Sequence, residues 1–268
     1  MAKYKKKRAR ELKHDRFRDT TMLLADKLAE RAAGRGRQIL YGLVAVVVIA
    51  VAVYGIVRWR NKHAAEAGQA LGRAIAITRA EISTSPPPNS KDPVFSTEQE
   101  RAQRAIDEFQ KVAAKYGEPY RSEARYFIAT NLLVTDRAKG IGELQSLSQS
   151  GGETGVLAKF ALAQAKEADG SLDEAAAQYA EIAKLDATIV TPASANLRLA
   201  SVYNKQGKKK EAADLLFNMI DAARKAKDKD GKPVPETSAS REAGQLLKKI
   251  DPARWAQLAP APAPDLSF

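Results

Sequence analysis

The sequence predicts an all-α protein in two parts, a single N-terminal transmembrane helix followed by an α-solenoid of helical hairpins. Three observations predict it. Residues 38–57 are twenty in a row without a charge. The 37 residues before them hold 13 Lys and Arg against five Asp and Glu, a net of +8 out of the chain's +12. A helical-hairpin pattern then recurs at an offset of 37 residues between 162 and 216.

Composition removes whole classes of chemistry first. The chain has no cysteine and only two histidines, His14 and His63. Disulfides, thiolate nucleophiles and Cys-ligated metal centres are excluded, and two histidines are too few for a histidine metal site. Absence of cysteine is neutral about compartment, because such a chain folds equally well in reducing and oxidising surroundings.

The elements follow in order. Residues 1–37 form a basic cytoplasmic tail. Its first ten residues include Lys3, Lys5, Lys6, Lys7, Arg8 and Arg10, a block too charged to build a core alone. It reads either as an electrostatic contact for anionic lipid or ribosomal RNA, or as a topology signal and nothing more. From 11 to 33, Phe17, Leu24 and Leu28 recur at helical spacing with Leu12 and Met22 nearby, an amphipathic helix that either lies in the membrane interface or docks on a cytoplasmic partner. Gly34 and Gly36 break it before the anchor.

Residues 38–58 are the transmembrane helix. Twenty residues at about 1.5 Å each span about 30 Å, the thickness of a bilayer's hydrocarbon core. Tyr41, Tyr54 and Trp59 stand at interfacial positions, with Arg35, Arg37, Arg58, Arg60 and Lys62 at the two ends. A buried helix of a soluble domain normally carries a polar stripe, which this run lacks. A cleaved signal peptide has a short basic lead and an apolar run nearer 7–15 residues, which 37 preceding residues do not match. The basic residues of the tail stay inside by the positive-inside rule. The expectation is a single-pass bacterial inner-membrane protein, N-terminus cytoplasmic and C-terminal domain periplasmic.

Residues 59–250 make the helical repeat domain. Helical stretches are expected at 61–83 and 97–116, separated by a Pro-rich loop at 83–93 whose consecutive prolines exclude helix. Leu162-Ala163 precedes Gly170-Ser-Leu-Asp-Glu-Ala175, and Leu199-Ala200 precedes Gly207-Lys-Lys-Lys-Glu-Ala212. Ahead of them Tyr126-Phe-Ile-Ala129 matches at an offset of 34, and Ile141 stands 34 before Ala175. Ala129, Ala163, Ala200, Ala175 and Ala212 are small enough to let antiparallel helices approach, while Gly170 and Gly207 end the first helix of each pair. One hairpin cannot bury its apolar face, so hairpins stack. A polar loop at 225–236, a last helix at 238–250 that caps the stack, and a Pro/Ala-rich tail at 251–268 complete the chain.

At these residues the sequence resembles the tetratricopeptide repeat (TPR) family. Ala105-Ile-Asp-Glu-Phe109, Val112 and Pro119 look like the second helix and closing proline of an earlier unit. Asp136 stands where that family has glycine, and Asp186-Ala-Thr-Ile-Val-Thr-Pro192 adds three residues to the period. Three to four hairpins are expected. The resemblance implies a concave face that binds proteins, and carrying over its groove positions gives Tyr126, Phe160 and Leu197 in an apolar row, Thr130, Gln164 and Ser201 in a second, and Leu133, Glu167 and Asn204 in a third. The competing reading makes the first row plain core between repeats. The family's Lys/Asn clamp for a C-terminal carboxylate does not appear, so extended apolar segments of unfolded or assembling clients fit better.

No phosphate loop, zinc-binding His motif or nucleophile elbow is present. A non-enzymatic protein without cofactor is expected. The layout, with Gly42-Leu-Val-Ala-Val46 and Gly55-Ile-Val-Arg-Trp59 in the anchor, resembles the bacterial YfgM-like ancillary subunits of the SecYEG translocon, which implies a membrane-tethered scaffold for protein export or envelope assembly. The alternative is a membrane adaptor whose basic tail recruits ribosomes, nucleic acid or acidic proteins. Nucleic acid is expected only through that tail.

Overall fold

A computed structural model describes residues 36–84, 93–185 and 187–261. The amphipathic helix expected at 11–33, most of the Pro-rich loop and the end of the Pro/Ala tail lie outside them. The regular elements of the described chain are helices, but for one pair of two-residue strands and an isolated bridge between Lys227 and Pro233. Two compact units divide between Glu66 and Ala67.

In the first unit the described residues belong to α1 (Gly36–Thr78). From Leu40 to Val57 its large apolar side chains are exposed on every side of the helix. Among the described residues α1 is the one helix long and apolar enough to cross a membrane.

The second unit begins with the last turns of α1, where Ala67, Leu71 and Ala74 are buried. Next come β1 (Glu81–Ile82) and β2 (Val94–Phe95), a parallel pair, then α2 (Glu98–Lys115), α3 (Tyr120–Thr135), α4 (Arg137–Ser148), α5 (Gly152–Ala168) and α6 (Leu172–Ile182). The unit continues through α7 (Pro192–Lys205), α8 (Lys209–Lys225), α9 (Ser238–Ile250) and the one-turn α10 (Pro252–Trp255). From α2 onward each helix packs on the next, and α3 also meets α5 as α7 meets α9. This is a stack of antiparallel hairpins.

Local chemistry sets the ends. Thr97, Asp136, Thr191 and Thr237 each accept a backbone N–H of the following first turn, at 3.1–3.2 Å, which satisfies donors the helix itself cannot. Gly170 and Gly207 have φ of +77° and +79°. Behind each the chain closes two bonds, Ser171 N–H to Lys166 O at 2.9 Å and Gly170 N–H to Glu167 O at 3.2 Å, then Lys208 to Tyr203 and Gly207 to Asn204 at 2.9 and 3.1 Å. That is the Schellman arrangement, and its left-handed residue is best served by glycine.

The hairpin of α3 and α4 dispenses with such a turn. Asp136 alone joins the helices, ending α3 and capping α4. The linker is shorter than Asp169-Gly170-Ser171, so counting from the caps aligns Gly140, not Ile141, with Ala175 and Ala212. Gly140 is buried while Ile141 is half-buried. A Cβ at Gly140 would stand 2.7 Å from Leu133 N and 2.9 Å from Leu132 C, so only glycine fits this crossing.

Three more expectations change. The helix placed at 61–83 ends at Thr78, whose hydroxyl turns back to Ile75 O at 2.7 Å, and Glu81–Ile82 become β1. The tail placed at 251–268 begins later, because Asp251 caps α10 and Trp255 lies over Gly244, where a Cβ would be 2.9 Å from the ring. The loop placed at 225–236 is pinned by Arg224, which pairs with Glu236 at 2.9 Å, stacks 5.1 Å from the Trp255 ring and donates to Ala259 O.

The core runs as four clusters, most of which join three successive helices. Phe109 and Val112 of α2 meet α1 and α3; Leu144 and Leu147 of α4 meet Ala129 and Ala158; Tyr179 and Ile182 of α6 meet Ala163 and Leu199; Leu216 and Ile220 of α8 meet Ala200 and Leu247. Gly140→Ala is expected to destabilise the fold by about 1–3 kcal/mol, since overpacking here pushes on backbone. Gly142→Ala, two residues on and with open space around it, is expected to stabilise by about 0.5–1 kcal/mol through helix propensity. Thermal melts of the two variants followed by circular dichroism should shift in opposite directions.

Candidate partner-binding groove

The carried-over positions lie on α3, α5 and α7, the first helices of three consecutive hairpins. Tyr126, Phe160 and Leu197 are all half-buried. Tyr126 packs against the cluster that ties α3 and α4 to α5, Phe160 against the cluster that ties α5 to α6 and α7, and Leu197 against the one that ties α7 to α8 and α9. Each therefore bridges its hairpin to the next. Phe160 sits edge-on to Tyr179 with 5.6 Å between ring centres, and burial pushes the Tyr126 hydroxyl above its ordinary pKa.

The second row is more open. Thr130 donates to Phe127 O at 3.0 Å, Ser201 is half-buried, and Gln164 is exposed. In the third row Leu133 packs beside Gly140 and Asn204 is half-buried. Glu167 has both oxygens engaged. Tyr179 Oη donates to Oε2 at 3.0 Å and Lys205 Nζ to Oε1 at 2.6 Å, with the Glu167 side chain 9 % exposed. The structure thus makes Glu167 a staple between hairpins and leaves Gln164 as the most available polar group of the three rows.

Sequence reasoning missed the polar seam to which this staple belongs. Arg137 Nε donates to Asp169 at 2.7 Å and its Nη2 to Ala165 O at 2.9 Å, covering one carbonyl in the last turn of α5. Gln206 Nε2 donates to Asp173 at 2.8 Å. The partners stand 32, 33 and 38 residues apart, close to one repeat, so a search for complementary polar pairs at the repeat distance would find them. Missed too is a cleft of about 460 Å³ between α2, α3 and α4, floored by Ile106, Ile128 and Leu132 and rimmed by Gln103, Arg125 and Glu143. No group of His, Asp and Glu placed to hold a metal occurs among the described residues.

No family model and no curated protein sequence matches the chain. Among solved structures it is similar to a Podosopora anserina kinesin light chain with nearly identical TPR-like repeats, and to a point variant of it. In both cases the TM-score is 0.45 and the identity 16 %, over 60 % of this chain and 82 % of that one. A likeness of this size assigns neither family nor function. The class stands on the structure's own hairpins, an α-solenoid.

Burial, reinforced by the charge and hydrogen bond of Glu167, holds the Tyr179 hydroxyl protonated far above its ordinary pKa of 10.0. The native state binds that proton more tightly than the unfolded chain, so its stabilisation is full below about pH 10 and lost as pH rises beyond it. Tyr179→Phe is expected to cost about 1.5–3 kcal/mol at neutral pH, the worth of a hydrogen bond to a charged group. It should also flatten the alkaline limb of stability measured by urea unfolding from pH 8 to 11.

Proposed function

We propose that the chain is a non-enzymatic, membrane-tethered scaffold of TPR-like hairpins that holds protein partners or unfolded clients on the extracytoplasmic side of a bacterial inner membrane. The observation that carries the tether is α1, whose large apolar side chains from Leu40 to Val57 are 49–69 % exposed and find no cover among the described residues. Lipid covers such a helix on all sides, at roughly 0.3–0.6 kcal/mol gained per Leu, Ile or Val. The basic residues before it favour the orientation with the tail inside.

Stacked hairpins present repeated side chains over a long surface, which suits recognition of extended protein segments rather than turnover of a small molecule. Tethering confines scaffold and client to one surface, raising effective concentration without tight affinity. The resemblance to YfgM-like subunits makes the SecYEG translocon the partner we propose first.

A reporter active only outside the cytoplasm, fused to the C-terminus, is expected to be active, and crosslinking in the same intact cells is expected to recover translocase subunits. An inactive reporter places the repeats in the cytoplasm and overturns the reading. Replacing Gln164 and Ser201 by Arg, together with Tyr126→Glu and Phe160→Glu in variants shown by circular dichroism to remain helical, is expected to cut co-purified partner at least tenfold, with deletion of residues 1–30 leaving it unchanged. The reverse pattern assigns the work to the basic tail.

A further inference from the structure

The hairpin turns differ in charge. At the start of α6 stand Asp173 and Glu174, where negative charge suits the positive end of the helix macrodipole. The corresponding turn of α8 reads Lys208-Lys209-Lys210, placing cations where the dipole opposes them, a penalty of about 0.3–1 kcal/mol each. Neither the fold nor the seam needs Lys209 or Lys210.

Topology brings more lysine to the same place. α9 runs antiparallel to α8, with Leu247 packed in the cluster of Ala213 and Leu216, and the pair of Arg254 with Asp214 pins the end of α9 beside the first turns of α8. Lys248 and Lys249, in the last turn of α9, therefore stand at the same end of the stack as Lys209 and Lys210. All four are exposed, and among the described residues no hydrogen bond or ion pair engages their ammonium groups. Lys205 and Lys208 stand nearby, the first on Glu167 at 2.6 Å and the second 3.9 Å from Asp173. The acids on these turns are few: Asp251 caps α10, Asp214 is held by Arg254, and Glu211 remains.

We propose that this edge, Lys209, Lys210, Lys248 and Lys249, docks the repeat domain on an anionic phospholipid surface. The free cations are all lysine, compact point charges on flexible stems, which suit a diffuse field of phosphate better than the planar, bidentate recognition that arginine provides. An anionic leaflet attracts each lysine near it by a factor of about five, and the attraction dies within a Debye length. The proposal rests on the tether of the preceding section, which keeps that surface close.

The chain has no cysteine, so a single Ala253→Cys, an exposed position on α10, takes one spin label. The full chain is reconstituted in nanodiscs of phosphatidylcholine alone or with phosphatidylglycerol added. In discs with phosphatidylglycerol the label is expected to gain contact with lipid-dissolved oxygen and lose contact with an aqueous nickel chelate. High salt should reverse both, and each Lys→Gln change should lower the docking constant about fivefold. Equal accessibility in the two kinds of disc, or docking indifferent to the four lysines, overturns the proposal. A chain that elutes apart from the discs instead overturns the tether, and flotation with phosphatidylglycerol vesicles then tests the edge alone: lysine-dependent flotation upholds it, and no flotation sinks it. Retention on an acidic peptide or RNA with no flotation assigns the edge to another partner and also overturns it.

Discussion

The repeat domain depends on how closely the two helices of a hairpin approach. One position, the fourth residue after the cap of each second helix, sets it: Gly140, Ala175 and Ala212, all buried. Small side chains there bring the helix axes together, and the next turn then faces a space of fixed depth. Leu144, Tyr179 and Leu216, each four residues on and fully buried, fill it. Ala105 and Phe109 repeat the pair in α2. Small-then-large at a spacing of four is the interdigitation that close packing of helices demands.

Packing of this kind fixes distance but tolerates sliding, since alanine and leucine contacts have no direction. The polar seam along the hairpin turns supplies direction. Arg137 on Asp169, Lys205 on Glu167 and Gln206 on Asp173 each join one turn to the next, and Tyr179 carries the core into the seam through its hydroxyl. Most of these groups are half in water, so individual bonds contribute modestly. Glu167 is the exception. Its carboxylate is nearly enclosed, and removing either partner leaves part of a charge unsatisfied.

Much of this order is legible in the sequence because it is local. Gly170 and Gly207 announce a left-handed residue after a helix, and Ala175 and Ala212 announce a close crossing. Gly140 hides for a physical reason: Asp136 replaces a three-residue turn with one, which slides the following helix against a fixed 34-residue count, and only capping geometry reveals the shift. β1 and β2 hide because two-residue strands draw their stability from a partner across the chain, not from their own residues. α10 hides because its Pro and Ala composition matches that of a tail, while the weight of the contact lies in Trp255 meeting Gly244. The candidate groove is half legible. Its row positions follow from repeat spacing, but whether Tyr126, Phe160 and Leu197 face a partner or the next hairpin depends on the stagger between hairpins, which spacing does not encode.

The apolar part of α1 obeys a different constraint from everything behind it. In the repeat domain most apolar side chains pack into the four clusters, and only a few large ones among the described residues, Ile82 and Ile189 among them, are exposed. From Leu40 to Val57 there is no polar face to turn outward, so a protein partner, which covers one side, would leave the other in water. A bilayer has no sides in this sense. It also demands that every backbone group be bonded within the segment, which an unbroken helix achieves. The lipid tether we propose is thus the one environment that satisfies both the side chains and the backbone of this segment at once.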